Sequence, residues 1–245
     1  MKIDFKGQKI LITGGNSNLG KKVIELLLKN NAFVYTTVTN IKKNKNYKLK
    51  NKNIKFFELD YKNSKSVQNF INEIKNIDDI DVLINNAGIN IIDNISNIKN
   101  KDWTDIQNVN LTGPFILMKE ISKKMIKKKK GNILNISSIF GSVGKEKRSS
   151  YSSSKWGLIG LTKSASLDLA KYNILVNALS PGVINSSLTK KILGPKGIKD
   201  ITNQIPLKRL SSVDEIAKII LFLISNHNTY LTGQNIIVDG GYTCG

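Results

Sequence analysis

Short apolar runs recur along the chain, and between them lie longer stretches whose apolar positions return every third or fourth residue. The first kind fits strands buried on both faces, the second helices with one face against a sheet. Strands are predicted over 9–13 (KILIT), 33–38, 54–59, 81–84, 132–136, 174–179 and 235–238. The helix after the first strand sets Leu19, Val23, Leu26 and Leu27 on one side; further helices are predicted over 103–129, 151–171 and 213–224. Strands alternating with helices of this length require right-handed crossovers. The fold class expected is therefore α/β, a doubly wound parallel seven-stranded sheet with helices on both faces, a three-layer Rossmann-type arrangement. Ligands then bind at the carboxyl ends of the strands. No linker or repeat divides the chain, so residues 1–245 are expected to be one domain. Two segments break the rhythm: 40–53 reads as a solvated, lysine-rich connection, and 185–205, with Gly194, Pro195 and Gly197, as a mobile substrate loop.

Composition narrows the partners. Lysine and arginine number 38 against 18 acidic residues, a net charge of +20 that could draw nucleic acid, an anionic surface or an acidic protein. Only Arg148 and Arg209 are arginines, and the lysine-rich segments lack the arginine forks and aromatic interleaving that nucleic-acid readers use. Nucleic acid is accordingly not the expected partner. No apolar run approaches the roughly 18 residues of a membrane span, and the first residues lack a secretory signal, so a cytoplasmic location is expected. Cys244 and His227 are the only residues of their kinds, which removes an internal disulfide and any Cys/His metal set. No metal is expected.

The chemistry is concentrated in a few places. Tyr151 and Lys155 stand four apart in YSSSK, on one face of a predicted helix, with Ser138 upstream in NISSIFG. A phenol titrates near pH 10, so tyrosine works as an acid or base at neutral pH only when a fixed positive charge stabilises its phenolate; Lys155 is expected to supply it. Thr13 to Gly20, TGGNSNLG, follows the first strand and opens a helix, the context in which backbone N–H groups and a helix N-terminus receive a pyrophosphate.

With Asn85-Asn86-Ala87-Gly88, Asn110 in VNLTG, Pro181-Gly182 and the C-terminal TGQNIIVDGG, these motifs resemble, in order and separation, the short-chain dehydrogenase/reductase family in its single-domain form. The resemblance implies an NAD(P)-dependent oxidoreductase moving hydride between nicotinamide and a secondary alcohol or ketone. It makes Tyr151 the proton donor or acceptor, Lys155 the residue that lowers its pKa and holds the nicotinamide ribose, Ser138 the group that polarises the substrate oxygen, and Asn110 part of a water relay behind Lys155. For the cofactor it implies Gly14, Asn18, Leu19 and Gly20 at the pyrophosphate, Ser17 in the place of the family's phosphate-binding arginine, Thr39 near the adenosine ribose, Asp60 at the adenine, Asn86 and Gly88 at the ribose, and Asn16, Tyr61 and Ala87 as further cofactor-binding residues beside these. Pro181, Gly182, Ile184 and Ser186 would lie beside the nicotinamide and phosphates.

Asn18 departs from the family's usual glycine, and is expected to keep the turn by tolerating left-handed backbone angles. The second strand ends Thr37-Val38-Thr39-Asn40 without an acid and Lys42 and Lys43 follow, a pattern that favours NADP(H) over NAD(H) by a small margin. Overall spacing is most similar to the 3-oxoacyl-acyl-carrier-protein reductases, which implies a possible acidic acyl carrier protein as partner, with Lys127 to Lys130 and Lys171 near the docking positions. The same lysines suit a solvated helix end. Two alternatives stay open: a sugar, sugar-phosphate or polyol dehydrogenase, and a non-catalytic cofactor-binding regulatory protein. A homotetramer is also implied, with Phe115, Leu158 and Leu161 as candidate apolar contacts across a two-fold axis.

Overall fold

A computed structural model describes residues 3–42 and 51–244. Seven strands, all parallel, form one sheet in the order β3-β2-β1-β4-β5-β6-β7. They are β1 (Lys9–Ile12), β2 (Phe33–Val38), β3 (Ile54–Glu58), β4 (Val82–Asn85), β5 (Gly131–Ile136), β6 (Ile174–Pro181) and β7 (Asn235–Val238). The helices are α1 (Asn18–Lys29), α2 (Ser64–Lys75), α3 (Asn100–Gln107), α4 (Gly113–Lys128), α5 (Ser149–Ala170), α6 (Ser187–Gln204) and α7 (Val213–Ile224).

Alternation along each strand divides the core in two. Leu11, Leu83 and Ile133 face one layer, with Phe70 and Ile74 of α2 and Leu117 and Ile121 of α4. Ile10, Ile12, Ile84 and Leu134 face the other, with Val23, Ile24 and Leu27 of α1 and Ile216 and Ile220 of α7. Strand order reverses between β1 and β4, so a crevice opens above their carboxyl ends, with the glycine turn on one side and the β4–α3 connection on the other.

Three expectations need correction. The helix expected over 103–129 is interrupted by a π-helical turn, Asn108–Thr112, which separates α3 from α4. The stretch 185–205, expected as a loop, is helix α6, broken at Gly194 (φ 62°, ψ 179°) ahead of Pro195, whose missing N–H cannot extend the ladder. Leu158, expected at a subunit contact, is buried at 1% exposure, and Leu161 packs against the core cluster that holds Leu117 and Ile133; of the three, only Phe115 is exposed. The connection over 40–53 lies largely outside the described residues.

Candidate active site

The carboxyl end of β5 leads into a 3-10 turn, Ile139–Gly141, which Ser138 caps by accepting the Phe140 N–H at 3.2 Å. This holds Ser138, 8% exposed, at the rim of the sheet. Tyr151 lies in the first turn of α5, and hydrogen bonding with Ser138 acts on its phenol. Lys155 follows one turn later, 4% exposed, donating from Nζ to the carbonyl of Ile136 at 2.7 Å, with Nζ 5.7 Å from the Tyr151 ring centroid. α5 is pinned to β5 by Ser137, whose Oγ donates to the Lys155 carbonyl at 3.2 Å.

Burial dominates the titration of both groups. It pushes the Tyr151 phenol above its ordinary value, and the bond with Ser138 and the positive charge of Arg148 pull in the other direction without overcoming it. The same withdrawal from water lowers Lys155 from 10.5 to about 8. In this arrangement the phenol keeps its proton more firmly, opposed by the hydrogen bond from Ser138 and the charge of Arg148.

Asn110 is completely buried on the π turn. Its Oδ1 accepts the Ile89 N–H at 2.9 Å, while Nδ2 donates to the Ile89 carbonyl at 2.9 Å and to Ser154 Oγ at 3.0 Å. Ser154 Oγ in turn donates to the Tyr151 carbonyl at 2.7 Å. A π turn inserts one residue into the helical register, and here it aims the amide at the β4–α3 connection and α5 together. A Cβ on Gly88 would stand 3.5 Å from Asn110 Oδ1 and 3.7 Å from Lys155 Nζ, so these three residues meet behind Tyr151.

The glycine turn fits a dinucleotide. Gly14 has φ 69°, and side chains on Gly15 or Gly20 would collide with Thr36 Oγ1 at 2.0 Å and the Gly14 carbonyl at 2.4 Å. Ser17 caps α1 by accepting the Gly20 N–H at 3.0 Å. The first-turn N–H groups of Asn18 and Leu19 have no intrahelical acceptor and are available to an anion. Asn16 sits within this turn, before the cap. Asn18 does not adopt left-handed angles as expected; it is the first residue of α1, and its Nδ2 donates to Ser187 Oγ, at the start of α6, at 3.0 Å.

The other expected cofactor residues divide. Thr39 is exposed just past β2, and Asp60 is partly exposed past β3, where it accepts the Lys62 N–H at 3.0 Å. Asn86 spends its amide inside the protein, donating to the carbonyls of Thr13 at 2.8 Å and Gly14 at 3.2 Å, so it braces the turn. Ala87 N–H, like that of Asn86, donates to Thr13 Oγ1 at 3.0 Å. Tyr61, expected at the adenine, is corrected to core: its ring fills the space beside Gly113, where a Cβ would come within 2.6 Å, and burial drives its phenol far up. Pro181 ends β6, Gly182 donates to the Val238 carbonyl at 2.9 Å, and Ile184 bridges to Ser211. Ser186 caps α6 by accepting the Thr189 N–H at 3.1 Å.

Sequence reasoning overlooked Glu58. It ends β3 directly opposite Val38, and its carboxylate accepts the Ile41 N–H at 3.2 Å, which places an acid one strand away from the end of β2. A search of β2 alone does not find it, because the pairing register decides its position. Lys42 is described and exposed; Lys43 lies outside the described residues.

A buried lysine and a tyrosine beside a strand-end serine, facing a glycine turn at a switch point, define a dinucleotide-dependent oxidoreductase. A family model described as enoyl-(acyl carrier protein) reductase matches residues 14–243. The 3-oxoacyl-[acyl-carrier-protein] reductase FabG of Buchnera aphidicola subsp. Baizongia pistaciae is 41% identical over 235 residues, 94% of this chain and 95% of that protein. Among solved structures, ElxO with NADP bound superimposes with a TM-score of 0.90 at 34% identity, covering 97% of this chain and 99% of that one. 4-Hydroxyisoleucine dehydrogenase complexed with NADH gives 0.92 at 32%, covering 98% and 100%. The chain belongs to the short-chain dehydrogenase/reductase family and is an NAD(P)-dependent oxidoreductase.

Proposed function

We propose that the protein reduces the 3-keto group of a 3-oxoacyl thioester carried on an acyl carrier protein. The observation that carries the reading is the convergence of Ser138, Tyr151 and Lys155 at the carboxyl edge of the sheet, beside the glycine turn, in a chain 41% identical to a 3-oxoacyl carrier-protein reductase. When bound, the reduced nicotinamide supplies hydride to the carbonyl carbon. Ser138 orients the carbonyl oxygen, and Tyr151, its proton held firmly by burial, delivers that proton as the oxygen gains charge. Lys155 holds a ribose hydroxyl and, with Asn110, leads replacement protons in behind the tyrosine.

NADP(H) is the proposed cofactor. Neutral Val38 and Thr39 leave room for a 2′-phosphate and Lys42 adds attraction, but Glu58 one strand away keeps the preference small. The proposed assembly is a homotetramer, in which exposed Phe115 of α4 and Trp156 and Leu167 of α5 are covered. Lys127 to Lys130 and Lys171 precede β5 and β6, so they sit at the opposite edge of the sheet from Tyr151, about 20 Å away across the strands. Lys128 is already paired with Asp79 at 3.3 Å and Asp81 at 2.5 Å. A carrier docked on the remaining lysines would therefore feed a neighbouring subunit, which antiparallel packing of α4 and α5 about a two-fold axis permits.

The test is reduction of an acetoacetyl thioester, with NADPH and NADH titrated in parallel at low and high salt. Tyr151→Phe should lower turnover by about 100-fold or more while leaving the cofactor Kd within about twofold, because it removes an interaction made only in the transition state. NADPH should bind more tightly, with the margin shrinking as salt rises. Tyr151→Phe activity within tenfold of the parent, or an NADH preference at low salt, would overturn the respective assignment.

A further inference from the structure

Tyr151 lies in the first turn of α5, and that turn lacks the device that usually fixes a helix start. Arg148, at the cap position, has φ −123° and ψ 14° and makes no side-chain cap bond. With no cap side chain to orient it, the first turn has to be set by a neighbouring element. That element is α3. Gln107, its last residue ahead of the π turn, is half-buried and reaches across to α5. Its Nε2 donates to the Ser150 carbonyl at 3.2 Å and to Ser153 Oγ at 3.0 Å, and Ser153 Oγ donates to the same carbonyl at 2.9 Å. A carbonyl only accepts, so the glutamine must present its NH2 there.

The Ser150 carbonyl belongs to the peptide unit that enters Tyr151, and Ser150 is itself 2% exposed. The peptide unit that leaves Tyr151 is held by Asn110 through Ser154, whose Oγ donates to the Tyr151 carbonyl at 2.7 Å. Both peptide units flanking the tyrosine are thus gripped from the α3–π segment, one by Gln107 and the other by Asn110. A phenol oxygen stands far out from its backbone, so a small tilt of the 150–151 peptide is magnified there, and a misplacement of about 1 Å can cost about 100-fold in rate. We propose that Gln107 is a positioning residue for proton transfer: by holding the Ser150–Tyr151 peptide it sets where the tyrosine meets the substrate oxygen. The inference rests on Tyr151 as the proton donor and is independent of which ketone is reduced. Gln107 acts through the backbone of α5 and takes no part in binding the nicotinamide.

The experiment is a double-mutant cycle between Gln107→Met and Tyr151→Phe, read as the single-turnover rate of reduction of the ketone that the parent uses best, so that failure of the carrier-thioester reading leaves the test intact. Methionine keeps the length and flexibility of glutamine and removes the donor. In the parent, Gln107→Met should lower the rate by roughly tenfold while substrate half-saturation and cofactor Kd stay within about twofold, since only alignment in the transition state is lost. In the Tyr151→Phe background the same substitution should cost less than about twofold, because no phenolic proton remains to be aligned. Gln107→Glu, of the same shape but with an acceptor facing the Ser150 carbonyl, should lose at least as much as Gln107→Met. Ser153→Ala, at an exposed position, keeps the fold and should show a smaller loss of the same kind. A Gln107→Met rate within twofold of the parent, an equal loss in both backgrounds, or a loss confined to substrate or cofactor binding would overturn the proposal alone. Tyr151→Phe activity within tenfold of the parent would overturn the proton-donor reading and the proposal with it.

Discussion

Lys155 shows how a single buried charge sets a working range. Its ammonium donates to the Ile136 carbonyl at 2.7 Å, and burial brings its pKa to about 8 from 10.5. Because the folded value is the lower one, the unfolded chain binds more protons between about pH 8 and 10.5, and stability rises with pH across that window. Below about pH 8 the group is protonated in both states and the full cost of burying the charge is present. Lys155→Met should abolish this dependence: the denaturation midpoint of the parent should climb relative to the variant from pH 8 to 10. Parallel curves would contradict it. The same titration bears on chemistry, since steps that need the ammonium weaken as pH passes about 8 in the ligand-free enzyme. Asn110, by contrast, carries no charge and works through geometry, each of its amide atoms committed to Ile89 or Ser154.

At the scale of elements, the glycine turn is joined to α6 by a contact between two helix starts. Asn18 at the head of α1 and Ser187 at the head of α6 are 169 positions apart in the chain and 3.0 Å apart in space. Where the family's turn has glycine, Asn18 thus tethers the turn to α6. Ser187→Ala should speed both cofactor association and release by roughly twofold to tenfold, the worth of about 0.5–1.5 kcal/mol for an ordinary hydrogen bond, and should increase amide exchange at the start of α6. Unchanged rates would show that the tether does not gate entry. The break at Gly194 gives α6 a place to bend beyond the segment that Ser187 ties to α1.

For the whole molecule, charge and exposed apolar surface point in different directions. A net charge of +20 keeps copies apart at low salt, whereas Phe115, Trp156 and Leu167, exposed by 47%, 53% and 80%, favour burial against another chain. Aromatic and leucine side chains of this size outweigh a repulsion that salt screens over about 8 Å, so the tetramer is expected at physiological ionic strength. Light scattering at micromolar concentration checks it; a monomer mass that persists as salt is raised would exclude it. The shift of Leu158 from expected interface to core does not weaken this, since the exposed face of α5 is simply rotated from the one first identified.

The periodicity of the sequence by itself determined the architecture, because strands buried on both faces and helices with one apolar side leave few ways to pack. The number of strands, most boundaries to within one or two residues, and the gathering of Ser138, Tyr151 and Lys155 at one sheet edge were all legible there. Tertiary structure decided what local pattern cannot carry. The π turn that aims Asn110 depends on partners at residues 89 and 154. Tyr61 turns inward because Gly113 leaves room for its ring, and Glu58 reaches the end of β2 because of strand register. Asn18 meets Ser187 for the same reason: their contact joins elements far apart in the chain, and that distance comes into being only when the sheet is assembled.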